Sequence, residues 1–260
     1  MAVEVYKTLW GMGGTLEEKL IRVKNQGYEG FEDWVTTHSE MRPVIDRVGT
    51  KYMAMVPGDE PEAFRRGLGE AYDCGAVGCT IHAGRPWMTY QQGLDLLGKL
   101  VEETKKVPFP VNFETHRGRL LFEPMSTAQY LKDLPDLYLV ADLSHWTVVT
   151  ESMLGGFKTQ MDAVLKRVRH VHARIGFEEG PQVPDPREKN WEGYTPTFEK
   201  WWDVVHANMT AAGKPFTFDP EFGPPHYQWT SPSDGKALAD IEDVALWMTK
   251  RLRERYKAKL

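Results

Sequence analysis

Residues 110–142 read PVNFETHRGRLLFEPMSTAQYLKDLPDLYLVAD: an apolar run of strand length ending at Glu114, a longer helix-length segment, and a second apolar run, Leu137–Asp142, ending in an acid. Two strands separated by a segment of helical length are joined by a crossover, which makes them parallel. Outward from this unit the alternation recurs. Strand-length runs also fall at Val5–Trp10, Tyr28–Trp34, Lys51–Val56, Gly78–His82, Arg169–Arg174 and Pro215–Asp219. With Pro110–Glu114 and Leu137–Asp142 they make eight, and 260 residues is close to the roughly 250 of one eightfold barrel. The expectation is α/β: a single (β/α)8 TIM barrel with a parallel eight-stranded core, residues 1–260 forming one domain, and a long loop after strand 7.

The intervening segments carry helical stripes. Leu16, Leu20 and Val23 share a face after the first strand, and Leu94, Leu97 and Val101 do so after the fourth. Phe198, Trp201, Trp202, Val205 and Met209 form a third stripe, and Leu238, Ile241, Ala245, Met248 and Leu252 a fourth. Thr15 and Ser233 are placed to cap helix starts, and Gly27 and Gly213 suit helix ends. The Pro- and Gly-rich stretch Gly176–Tyr194 is too long for an ordinary connection, which suggests a lid or substrate loop.

Composition narrows the function. The chain is 41% hydrophobic and 27% charged, as expected of a folded globular protein. Its net charge is -5, and its one basic run, Lys250 to Lys259, reads as the solvated face of a terminal helix, so nucleic acid is not the expected partner. Cys74 and Cys79 are too few for a disulfide framework and read as core thiols. Glu4 and Lys7 interrupt any signal-like apolar stretch within Met1–Trp10, and no run reaches membrane-span length. A cytoplasmic protein with no membrane partner is the expectation.

Side chains alternate along a strand, so one parity packs on the helices and the other faces the barrel axis. With Val111 and Phe113 outward, Asn112 and Glu114 turn in, and His116 lies just beyond. By the same parity Val140 and Asp142 turn in, as do His170, His172 and Arg174, then Thr217, Asp219 and, past Pro220, Glu221. Four consecutive strands thus deliver Glu114, Asp142, a histidine and Glu221 near their C-terminal ends, where barrel enzymes place their chemistry. Burying such charges unpaired costs several kcal/mol each, so a cation belongs among them. The rival reading is separate salt bridges to Arg117, Arg119 and Arg174. Three carboxylates and an imidazole suit one divalent ion, Mn²⁺, Mg²⁺ or Co²⁺, with Zn²⁺ also compatible. His172 is preferred to His170 because it sits nearer the strand's C-terminal end. His145 and Arg174 are positioned to orient substrate oxygens, and His116 and His82 have inward parity near strand ends. Glu32 is inward as well. Trp10, Trp34, Trp87, Trp146 and Trp229 fall at or after strands on the same side and could stack on a sugar, with Trp10 and Trp146 taken as the substrate-binding pair.

Asn112-Phe-Glu-Thr-His116, Ala141-Asp-Leu-Ser-His145, His170-Val-His-Ala-Arg174 and Asp219-Pro-Glu-Phe-Gly223 together resemble the xylose isomerase-like barrel superfamily, in particular its sugar phosphate isomerase/epimerase group. The resemblance implies a metal held by Glu114, Asp142, His172 and Glu221, substrate contact by His145, and Glu114 and Glu221 as the acid/base pair. It also implies a small carbohydrate substrate and a homo-oligomer. Leu120 and Glu178 depart from the ketose 3-epimerase pattern, which has an acid and an arginine at those places, so that subgroup's substrate does not carry over. The implied activity in carbohydrate metabolism is a metal-dependent isomerase or epimerase working through proton abstraction next to a carbonyl and an enediolate. The alternatives are a lyase or dehydratase acting on a keto-sugar, inosose or 3-keto glycoside, an endonuclease IV-like nuclease, and a non-catalytic sugar-binding barrel.

Overall fold

The computed structural model describes residues 3–257. Eight parallel strands close on themselves in sequence order: β1 (Val3–Thr8), β2 (Gly30–Trp34), β3 (Lys51–Gly58), β4 (Gly78–Ala83), β5 (Val111–Glu114), β6 (Leu139–Ala141), β7 (Val168–His172) and β8 (Phe216–Asp219). Strand β1 pairs with both β2 and β8, which leaves no free edge. The helices are α1 (Leu16–Asn25), α2 (His38–Val48), α3 (Pro61–Asp73), α4 (Tyr90–Thr104), α5 (Pro124–Asp133), α6 (Ser144–Val149), α7 (Lys158–Val164), α8 (Thr195–Ala211) and α9 (Ile241–Arg255). Two of them, α6 and α7, share the crossover from β6 to β7. The architecture is the expected (β/α)8 barrel. No helix among the described residues is long and apolar enough to cross a membrane.

The outward parity is buried against the helices as expected. Val111, Phe113, Leu139, Ala141, Val171, Ala173, Phe216 and Phe218 belong to one core with Phe198, Trp202 and Val205 of α8 and Ala245, Met248 and Leu252 of α9. Thr15 caps α1 in a reciprocal box with Glu18, and Gly27 and Gly213 take the left-handed conformation past α1 and α8. The terminal helix departs from its expected start. Its cap is Asp240, whose carboxylate accepts from the Glu242 and Asp243 amides, and not Ser233, whose hydroxyl meets Ser231 in a turn closed at Gly235. Leu238 therefore lies outside α9 and is exposed. The basic run follows α9 as far as Lys257; residues 258–260 lie outside the described residues.

The long loop 176–194 is tied down. The Val183 amide donates to the Ile175 carbonyl, Phe177 and Gly180 form an antiparallel bridge, and Gln182 is buried. Its amide grips the backbone of Gly223, Nε2 donating to the carbonyl at 3.0 Å and Oε1 accepting from the N–H at 2.8 Å. The loop thereby braces the chain just beyond β8, and none of its residues lines the substrate-sized cleft described below.

Candidate metal centre

Glu114 ends β5, Asp142 follows β6, His172 ends β7, and Glu221 lies two residues past β8. Ligand atoms of the four lie within 4.8 Å of one another, and all four side chains are buried. Cross-strand bonds hold these positions. The Thr115 hydroxyl donates to the Asp142 carbonyl and accepts from the Asp142 amide, both at 2.9 Å, which continues the β5–β6 pairing past the strand ends. The Ser144 amide and hydroxyl both donate to Asp142 Oδ1, at 3.1 and 2.5 Å.

The histidine supplies the test of fit. His172 Nδ1 lies 3.0 Å from Glu221 Oε2 and 3.5 Å from Glu114 Oε1, yet the angles are not those of hydrogen bonds, and Nδ1, Glu221 Oε2 and Glu114 Oε2 have no hydrogen-bond partner. These buried polar atoms crowd together without hydrogen-bonding to one another, an arrangement that suits ligands around an ion. On the other side of the ring, His172 Nε2 lies 3.3 Å from Glu32 Oε1, which favours the proton on Nε2 and leaves Nδ1 for a metal. His170 stands one layer further from the site. Its Nε2 meets Glu32 Oε2 at 3.1 Å and its Nδ1 meets Thr217 Oγ1 at 2.8 Å.

The charges agree with this arrangement. The Arg174 guanidinium pairs with Asp142 and lies 3.3 Å from Glu221 Oε2, Glu114 is close to it as well, and Glu32 sits on the far side of His172. Burial opposes ionisation throughout, but His82 and His172 hold Glu114 well below the carboxylate range, and His172 and Arg174 hold Glu221 down. Against the same burial, Glu221, Glu32 and Glu114 raise His172 well above its usual range. Asp142 is raised by burial, which Arg174 only partly offsets. Four carboxylates against one guanidinium and one imidazolium leave negative charge in excess, which a divalent cation would offset. Arg174 thus takes the ion-pairing part of the rival reading, whereas Arg119 turns to Asp59 and Arg117 pairs with none of these acids.

Above the centre opens a cleft of about 330 Å³ whose lining includes Glu114, Glu221, Arg174, His82 and His116, walled by Trp10, Trp34 and Tyr227. His82 contacts Glu114 and stands edge-on to Trp34. The Gly118 amide donates to His116 Nδ1 at 3.0 Å, so His116 carries its proton on Nε2; burial pushes its pKa down to about 4. His145 is fully buried behind His116, their rings 4.0 Å apart. Its Nε2 lies 3.2 Å from Arg174 and 3.6 Å from Asp142, and burial, followed by His116 and Arg174, keeps its pKa well below the usual value.

Three tryptophan expectations need correction. Trp146 does not reach the cleft: it is fully buried, with its indole N–H donating to the Leu121 carbonyl at 3.0 Å. It adjoins His145 on α6, and the step of about 100° between successive helical residues sends one toward the site and the other into the helix layer. Trp87 is 79% exposed and away from the cleft, and Trp229 packs on Trp191 and Phe177. Tyr227, Asp33, Met55 and Thr8 line the cleft without having been singled out. Tyr227 belongs to the irregular chain after β8, where no period points to a side chain's direction. A larger cavity of about 580 Å³ at the opposite mouth, lined by residues such as Tyr6, Met53 and Phe109, holds none of the metal-centre groups.

No protein-family model matches the chain, and no curated protein matches it. Solved structures do, among them xylose isomerase-like TIM barrels, and what they share with this chain is the (β/α)8 barrel fold. A sugar phosphate isomerase/epimerase from Parabacteroides distasonis aligns with TM-score 0.65 at 11% identity, covering 100% of this chain and 96% of that one. An AP endonuclease of family 2 from Brucella melitensis aligns with TM-score 0.63 at 12% identity over 95% and 98%. A probable 3-DHS dehydratase of petrobactin synthesis from Bacillus anthracis aligns with TM-score 0.61 at 16% identity over 97% and 100%. At these identities the likeness is one of fold.

Proposed function

We propose that the protein is a metal-dependent isomerase or epimerase that moves a proton beside a carbonyl of a sugar or related polyol. The observation that carries the reading is the convergence of Glu114, Asp142, His172 and Glu221 within 4.8 Å beneath an aromatic-walled cleft. Three carboxylates and an imidazole suit Mn²⁺, Mg²⁺ or Co²⁺, with Zn²⁺ also compatible. A bound divalent ion supplies Lewis-acid polarisation of adjacent carbonyl and hydroxyl oxygens.

The chain's own groups account for the rest. Glu114 and Glu221 both reach the cleft, from β5 and from beyond β8, so one carboxylate can take the proton from carbon and the other return one. Return to the opposite face epimerises; return to the neighbouring carbon interconverts aldose and ketose. Arg174 lies where it can steady the developing enediolate oxygen, and His145 positions Arg174 without entering the cleft. Trp10, Trp34 and Tyr227 offer apolar faces to the substrate and keep water from the reacting carbon.

A lyase reading is favoured by one feature, the neutral His116 with its Nε2–H in the cleft, placed to donate to a departing oxygen. A nuclease reading draws on a second group, His82, Glu114 and His116, whose ligand atoms also lie within 4.8 Å of one another. The acidic chain offers little for a phosphate backbone, and an absence of salt-sensitive DNA association would remove that reading.

Metal analysis of wild type, Glu114→Gln and Glu221→Gln, with proton NMR of ketoses and keto-sugars in D₂O, tests the proposal. The expected result is about one divalent ion per wild-type chain, weakened in both variants, and metal-dependent deuterium entry next to the carbonyl. Elimination products would assign the lyase. A wild-type protein that holds no ion and responds to none would sink the proposal.

A further inference from the structure

We propose that the cavity at the N-terminal mouth of the barrel is a second, non-catalytic binding site, for a small organic dianion of the phosphate monoester kind with a hydroxyl on its body. The proposal does not depend on the metal centre. The interior of such a barrel is ordinarily packed with layers of side chains, and its chemistry lies at the other end of the strands. Here the N-terminal mouth holds about 580 Å³, more than the cleft and within the range of small-molecule sites. Its wall includes the buried hydrophobics Met53, Phe109 and Met209. Among them stands Asn112, on the inward face of β5 two residues before Glu114 and 3% exposed. Its Oδ1 is buried without a hydrogen-bond partner, and the Thr80 hydroxyl, its neighbour in register on β4, does not bond to it. The Thr217 hydroxyl, also in the wall, is already engaged by His170 Nδ1 and the Arg169 carbonyl. A buried amide oxygen left unbonded in a cavity wall calls for a donor, and a ligand hydroxyl supplies one.

The charged residues of the lining are Glu4, Lys51, Arg169 and Lys214. Glu4 is fully engaged, its Oε1 with Lys51 Nζ at 2.7 Å and its Oε2 accepting from the Tyr6 hydroxyl at 2.9 Å. Among the described residues no carboxylate oxygen lies within the 4.0 Å pairing distance of Arg169 or Lys214. Arg169 is laid on the Tyr138 ring, which holds its guanidinium without neutralising it. Three cations against one carboxylate leave two positive charges in surplus at this mouth, in a chain whose net charge is -5. A phosphate monoester, at about -1.5 to -2 at neutral pH, matches that surplus and takes charge-assisted hydrogen bonds from both groups. The cleft has no such surplus, because Arg119 and Arg174 stand there against Asp33, Glu114 and Glu221.

The test uses 4-hydroxyphenyl phosphate and its two simpler relatives, phenyl phosphate and hydroquinone, titrated into protein with isotope-labelled methionine methyl groups and followed by NMR. Met53 and Met209 line this cavity and Met55 lines the cleft, so the methyl signals report which of the two is occupied. The expected result is that Met53 and Met209 shift while Met55 does not, and that hydroquinone binds at least about tenfold more weakly than 4-hydroxyphenyl phosphate. Lys214→Gln and Arg169→Gln, both changes at the rim, should each remove much of the advantage of the phosphate. Asn112→Ala should remove the smaller advantage that the hydroxyl gives over phenyl phosphate. Shifts at Met55 alone, no shift at millimolar ligand, equal binding of hydroquinone, or an advantage of the phosphate that survives both rim variants would each overturn the proposal. A hydroxyl advantage that is absent from the wild type, or that persists in Asn112→Ala, would do the same.

Discussion

Glu32 lies outside the candidate metal-ligand set and yet orients one of its members. Its two oxygens meet Nε2 of His172 and Nε2 of His170, so one carboxylate orients the ligand histidine and ties it to the neighbouring layer of the barrel. Glu32→Gln should weaken metal binding by about 10- to 100-fold while leaving all four ligands in place, measured by competition with a chelator. An unchanged affinity would show that His172 needs no such partner. His172 itself has a pH signature. Its pKa is raised because Glu221, Glu32 and Glu114 outweigh burial, and a metal needs the unprotonated ring nitrogen. Metal binding should therefore expel a proton and weaken as pH falls, seen as a binding heat that changes with the buffer's ionisation heat. Alternation made Glu114, Asp142, His172, Glu221 and the inward Glu32 legible. Thr115 and Tyr227 were not, because each acts through partners on other segments that strand parity does not identify, and Ser144 was not because it lies past the end of β6, where the alternation stops.

At the scale of elements, the chain just past β8 holds together Glu221, Gly223 and the Trp10 wall. Gln182 fixes the Gly223 backbone from the loop after β7, and a methyl group at Gly223 would collide with the Trp10 ring. Gly223→Ala should keep the fold and the ion but displace Trp10, giving weaker substrate binding and a shifted tryptophan emission; unchanged emission would contradict the packing described. Gln182→Ala removes both grips and should cost about 1–3 kcal/mol of stability in urea unfolding. The length and composition of loop 176–194 marked it as special, but its bracing role depends on a partner 41 positions away in sequence. The misplaced start of α9 has a local cause. Ser233 has the chemistry of a cap, but the turn at Ser231–Lys236 uses that stretch first, and Asp240 takes the position with an acidic first turn behind it.

For the whole molecule, an ion held by the four candidate ligands would be a fold-wide clasp, since they come from four strands or their extensions. An ion that binds only the folded state at 100 times its dissociation constant adds about 2.7 kcal/mol, so Mg²⁺ or Mn²⁺ should raise the melting temperature by several degrees, and Glu221→Gln should blunt that rise. Buried His116 gives the metal-free protein a slope of defined sign. Its pKa lies near 4 in the folded state against 6.5 when free, so the unfolded chain takes up the proton first and stability falls as pH drops from about 6.5 to about 4. His116→Gln should flatten that fall in denaturant titrations across the range; an equal slope in the variant would assign it to other groups, His145 among them.

Eight apolar runs separated by helical stripes were enough, from the sequence alone, to determine the barrel, because burial requires a period of two in strands and 3.6 in helices. The same alternation determined which residues face the axis, and with them the four candidate ligands. Only the tertiary structure decided which groups meet: His172 at the carboxylates and His170 one layer away, Arg174 inside the centre and Arg119 turned to Asp59, Trp10 on the cleft and Trp146 in the core. The reason is geometric. Parity determines the side a residue faces, whereas distances between residues on different strands depend on register, stagger and the irregular chain beyond each strand's end, which no local period encodes.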